Sequence, residues 1–162
     1  MTCPILAHAV TESRATAQVP VGTIVEVGTN KKYIYCLLDA GAATLAGGGV
    51  LSWLDRDAFE ATIDVSAGTG EPVGVLDSGG SFTDAQHAYV QFEGPATVTK
   101  EAADDSYVDG TGVIMDGTND GSAKKASAEP PAVADVAAYL GRATGASDDT
   151  ADTVPVFLAV RL

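Results

Sequence analysis

Basic residues are scarce. Nine lysines and arginines stand against 22 aspartates and glutamates, a formal net charge of −13. Nucleic-acid binding needs clustered cations that displace counterions from phosphates. Here only Lys31-Lys32 and Lys124-Lys125 are adjacent, so no direct nucleic-acid partner is expected, and the charge serves solubility by repulsion. Cysteine is nearly absent. Cys3 and Cys36 match no zinc or redox spacing and form no disulfide framework, so two free thiols are expected. His8 and His87 are the only histidines, without paired ligand spacing, and neither a zinc site nor any other cofactor is expected. No segment approaches the ~20 apolar residues of a membrane span. Met1 to Leu6 has no basic start and no long apolar run, which argues against a signal peptide. Aromatics make up only 6% of the chain.

What is present is light and branched. Hydrophobic residues are 46% of the total, mostly Ala and Val, with 18 glycines among 162 residues. That composition predicts many short strands joined by glycine turns around a single core, in a chain long enough to bury roughly 70% of its unfolded surface. The central stretch is Pro72 to Thr99. Ala88, Val90 and Phe92 point one way and Tyr89, Gln91 and Glu93 the other, the period of a half-buried strand. Gly94-Pro95 is expected to stop that ladder, because proline donates no hydrogen bond, with Ala96 and Val98 resuming beyond it.

Taken in order, residues 1–20 are expected to be an N-terminal arm or strand and residues 21–162 a single β domain. Thr23–Val27 and Lys32–Leu38 read as a hairpin around Gly28-Thr29-Asn30. Ala42–Ala46 suits a turn of helix ended by glycines, and Val50–Leu54, Ala61–Val65 and Gly112–Met115 suit strands. Asp116–Lys125 reads as polar turn material. In Ala128–Ala138, extended by Leu140, a short helix and a loop leading into a strand fit equally well. Val154, Val156, Leu158, Val160 and Leu162 alternate to the last residue. The fold class is therefore all-β, a compact sandwich or small barrel, jelly-roll-like, with one or two short helices.

Motifs for chemistry are weak. Asp77-Ser78-Gly79-Gly80 matches the nucleophile motif of chymotrypsin-type proteases, and His8 precedes it, but the chain is far too short for that double barrel. An ordinary turn is the simpler reading. Asp116-Gly-Thr-Asn-Asp120-Gly121 begins like a calcium loop and fails at its twelfth position, Ser127, where a bidentate glutamate belongs. The spacing of Gly68, Gly70 and Gly74 is wrong for a dinucleotide fingerprint, and Pro72 interrupts it. Trp53 and Phe59 suit core packing better than a binding surface. No catalytic group, and no enzyme, is expected.

The order of short motifs carries more. Gly-Thr-Ile-Val-Glu-Val (Gly22–Val27) is followed by Lys32-Tyr-Ile-Tyr, an Ala-rich run into Gly47 and Val50-Leu-Ser-Trp. Then come Pro72-Val-Gly-Val-Leu, Tyr89-Val-Gln-Phe-Glu-Gly-Pro-Ala-Thr-Val, Gly112-Val-Ile-Met, Leu140-Gly-Arg-Ala and Thr153-Val-Pro-Val-Phe-Leu. This series, over residues 20–162, resembles the capsid decoration, or cement, proteins of tailed bacteriophages. The stretch Pro130–Tyr139 and the long N-terminal segment depart from the pattern. The resemblance implies a homotrimer on the outer surface of the virion, bound to the major capsid protein and made in the bacterial host cytoplasm. Within that reading, Ile5, Leu6, Val10, Arg14, Val19 and Trp53 are the candidate capsid or oligomer contacts, the arm adding to a neighbour's sheet edge. The alternative is a head-fibre, tail-associated or carbohydrate-binding β module.

Overall fold

The computed structural model describes residues 14–28, 30–39, 47–77, 84–101, 106–128, 131–148 and 150–162. Ten strands make one sheet: β1 (Ile24–Val27), β2 (Lys31–Asp39), β3 (Val50–Asp55), β4 (Glu60–Thr62), β5 (Pro72–Val75), β6 (Gln86–Thr99), β7 (Gly112–Met115), β8 (Ala123–Lys125), β9 (Tyr139–Ala143) and β10 (Thr153–Ala159). A helical turn, α1 (Val133–Val136), precedes β9. The sheet closes on itself. In the order β2–β4–β3–β5–β6, with β6 returning to β2, five strands form a barrel. β10, β9, β7 and β8 extend outward from β6, and β1 from β2. The fold is all-β, and of the two architectures expected it is the barrel.

Closure depends on β6. Its first half pairs antiparallel with β2, from Gln86↔Leu38 to Glu93↔Lys32. From Glu93 onward it pairs with β10, ending at Thr99↔Thr153. One strand thus serves the barrel wall and the outer sheet. The expectation that Gly94-Pro95 stops the ladder is wrong. Gly94 has φ 98°, and a Cβ there would meet the backbone of Asn30 and Lys31. The missing side chain lets β6 pass close under the β1–β2 turn and keep going. Gln91, fully buried, donates from Nε2 to the carbonyls of Glu93 and Pro95, which further secures the corner.

Inward-facing side chains merge into one core. Ile34, Cys36 and Leu38 from β2 meet Ala88, Val90 and Phe92 from β6, with Leu51 and Trp53 from β3 and Val154, Val156 and Leu158 from β10. The predicted alternation in β6 is present, but the strand is buried on both faces. Tyr89 joins Tyr33 and Tyr35 in a second cluster outside the barrel wall, covered by Val19, Val21, Val25 and Val27. A flanking strand and the end of the arm supply the cover that a half-buried strand would lack.

Two further readings change. Asp116–Lys125 contains β8, paired with β7 from Met115↔Ala123 to Val113↔Lys125. Between Ala128 and Leu140 the chain forms both a helical turn and a strand, with Leu140 buried on β9. The helical turn proposed at Ala42–Ala46 lies outside the described residues. The terminal alternation holds, with Val154, Val156, Leu158 and Val160 buried and Phe157 and Arg161 exposed, though β10 ends at Ala159.

Candidate functional site

Among the residues singled out for contact, Ile5, Leu6 and Val10 lie outside the described residues. Arg14 is exposed and pairs through its backbone with His87, in both directions, at 2.9 and 2.7 Å. Val19 packs on the tyrosine cluster. Residues 14–20 therefore touch this molecule's own barrel. Trp53 is a correction: it is 1% exposed, inside the core and edge-on to Phe59 with ring centroids 6.2 Å apart. Its indole offers nothing to a partner.

The groups considered for chemistry hold the fold together. Asp116 is fully buried and accepts from the Thr118 N–H, the Thr118 hydroxyl and Asn119 Nδ2, with Lys124 3.4 Å away. Burial opposes its ionisation, but the side-chain hydrogen bonds from Asn119 and Thr118 and the nearby ammonium outweigh it and hold the carboxyl below its ordinary range. Asp120 accepts from the Val65 N–H and ties two loops together. These acceptors are engaged by protein donors. Asp77 is gripped by Lys31 Nζ at 3.0 Å and by the Tyr33 hydroxyl, which burial and the neighbouring carboxylate make harder to ionise. Ser78, Gly79, Gly80 and His8 lie outside the described residues. His87 stacks on Tyr35 at 5.9 Å. Among the described residues no group of His, Cys, Asp and Glu is placed to hold a metal ion, and no helix is long and apolar enough to cross a membrane.

The surface feature that remains is the outer face of the β6–β10–β9 sheet. Phe157 is 44% exposed and lies directly between Pro95 on β6 and Arg142 on β9. Directly paired residues share a face, so Pro95, Phe157 and Arg142 form one exposed row. Along β10, Ala159 follows Phe157 on the same side at the period of two, and Arg161, two residues past the end of the strand, is exposed as well. Beside this row is a groove of about 500 Å³, with Val136, Tyr139 and Leu162 in its lining. Val136 is 59% exposed.

The groove is also basic. Arg56, Arg142 and Arg161 line it, three of the chain's four arginines, against one carboxylate, Glu71. Glu71 is already 3.4 Å from Arg56. Arg142 Nη1 donates to the Gly110 carbonyl at 2.8 Å, which orients its guanidinium at the groove edge. A second groove, on the other side of the Phe157 row, is lined by Pro95, Thr97, Thr153 and Pro155, with Lys31 and Asp77 already paired.

The sequence reading missed Arg142, Arg161, Phe157 and Val136. One signal was available: Phe157 falls on the solvent parity of the last strand, an aromatic where a polar residue is the norm. No family model matches the chain, and no curated protein matches it.

Proposed function

We propose that the chain is a structural virion protein that sits on the outer surface of an icosahedral bacteriophage capsid as a homotrimer. There it braces neighbouring major-capsid subunits and makes or breaks no covalent bond. The observation that carries this reading is the ordered series of motifs. Gly22–Val27 contains β1, Lys32–Tyr35 lies in β2, Val50–Trp53 in β3 and Pro72–Leu76 spans β5. Tyr89–Val98 lies in β6, Gly112–Met115 is β7, Leu140–Ala143 lies in β9 and Thr153–Leu158 in β10. The resemblance therefore runs through the elements of one continuous sheet. A bracing role needs stiffness, and a barrel closed through a strand shared with an outer sheet supports it. The carbohydrate-binding alternative loses its best platform, since Trp53 is inside the core.

The test is co-sedimentation of the purified protein with capsids emptied of DNA and stripped of decoration. Saturable binding at a fixed ratio to the major capsid protein, with capsids surviving more heating or dilution when coated, is the expected result. A protein that stays in the supernatant at micromolar concentration would overturn the assignment.

A further inference from the structure

We infer that the groove beside Phe157 is the contact surface for a second copy of this chain. The argument begins with where the charge is. The side chains lining the groove, three arginines against one glutamate, sum to +2, while the side chains of the whole chain sum to −13. The remainder of the chain therefore carries −15, and any second copy presents carboxylates almost wherever it approaches. At physiological ionic strength the general repulsion between two acidic copies is screened beyond about 8 Å. Pairs formed in contact are screened far less, so a local basic patch decides where two such copies touch.

The same surface has the composition of an interface core. Exposed aromatics and arginines are enriched at contact patches, and lysine and carboxylates are depleted. Phe157 and Val136 are among the few large apolar side chains left exposed among the described residues. They lie on the row and groove that hold Arg142 and Arg161. Among the described residues Arg161 has no ion-pair or hydrogen-bond partner, and it is exposed at the groove wall.

The contact is heterologous. A two-fold axis through the groove would lay the arginines of one copy on those of the other, whereas a groove facing a different, acidic surface pairs opposite charges. Heterologous contacts that close make rings. A ring of three rests on the homotrimer in the function proposed above but not on capsid attachment. Self-association and capsid binding are separate measurements, and either can fail alone.

The experiment is sedimentation velocity on the full chain at 0.15 M salt across a hundredfold range of protein concentration, for wild type, Arg161→Glu and Phe157→Asp. Both side chains are exposed, and thermal melts are run beside each to verify an intact fold. The expected result is a wild-type mass three times that of the 16.4 kDa chain. Each substitution should shift the dissociation midpoint at least tenfold upward. A wild-type monomer at every concentration overturns the inference, and so does an oligomer whose mass both variants retain. Monomeric wild type whose capsid co-sedimentation is abolished by Arg161→Glu also overturns it, giving the groove to the capsid instead.

Discussion

Gly94→Ala should be among the most damaging single-methyl changes in this protein, because two separate costs fall on one atom. With φ at 98°, an alanine there sits in a backbone region costing about 1–2 kcal/mol for an L-residue. Its Cβ would also lie 2.8 Å from the carbonyl carbon of Asn30 and 3.1 Å from Lys31 Cα, both backbone atoms that cannot rotate away. Forcing a methyl into a filled site costs about 1–3 kcal/mol more. Together these remove about 2–5 kcal/mol from a stability of about 5–15. The two costs can be separated by controls in the same fold. Gly110 has φ 86° with nothing within 4 Å of an added Cβ, so Gly110→Ala reports backbone conformation alone. Gly141 has ordinary φ, but its Cβ would lie 2.9 Å from the Phe157 carbonyl carbon, so Gly141→Ala reports space alone. Urea titrations and thermal melts of the three variants provide the assay. At about 2–4 °C per kcal/mol for a chain of this size, Gly94→Ala should melt about 4–20 °C below wild type. The order should be Gly110→Ala, then Gly141→Ala, then Gly94→Ala. A Gly94→Ala protein that melts with Gly110→Ala would refute the close-approach argument for β6.

Other outcomes follow from the same structure. Asp116 has a depressed folded pKa, so its contribution is full above the unfolded value of about 3.9 and is lost as pH falls through the folded one. Melting temperature should therefore drop below about pH 4, and Asp116→Asn should flatten part of that drop. Asp64, Asp135 and Asp148, held low by Ser66, Ser127 and Thr150, retain the rest. A variant with the wild-type acid profile would count against the hydrogen-bond account. Burial pushes the Cys36 thiol up to about 12, so iodoacetamide at pH 8 should leave it unmodified in the native protein and label it after unfolding. Peptide mass mapping distinguishes it from Cys3, and fast native labelling would contradict the buried placement. Deleting residues 2–13, which keeps the Arg14–His87 pairing and the Val19 contact, should leave the melt within a few degrees of wild type while weakening capsid co-sedimentation. Unchanged capsid binding would remove the arm from the attachment role. A cut through residue 19 is the wrong test, because it strips the cover from the tyrosine cluster.

Strands with a strong local pattern are legible in the sequence. Gly112–Met115 and the β1–β2 hairpin are found where composition and turn residues place them, and the last strand shows the alternation read from its valines. What failed was non-local. Ala123-Lys124-Lys125 has one apolar residue and becomes a strand only because β7 is beside it. Gly94-Pro95 has the local chemistry of a stop, yet the crowding of Asn30 makes the glycine a passage for a continuous strand. Barrel closure through β2 and β6 leaves no periodic mark, since each strand would read the same in an open sandwich. The groove was equally hidden. Arg56, Arg142 and Arg161 are dispersed along the sequence, and only the curl of the sheet gathers them around one groove.

The double membership of β6 has a kinetic consequence. Its seam with β2 joins residues as far apart as Lys32 and Glu93, 61 positions along the chain. Such a seam cannot zip until a long intervening segment has been drawn in, an entropic toll that precedes any reward and slows assembly. Refolding after dilution from urea should therefore be sluggish for a chain of this length. Because neither half of the molecule can release β6 without tearing the other, denaturation should proceed in one step with the same midpoint by fluorescence and by circular dichroism.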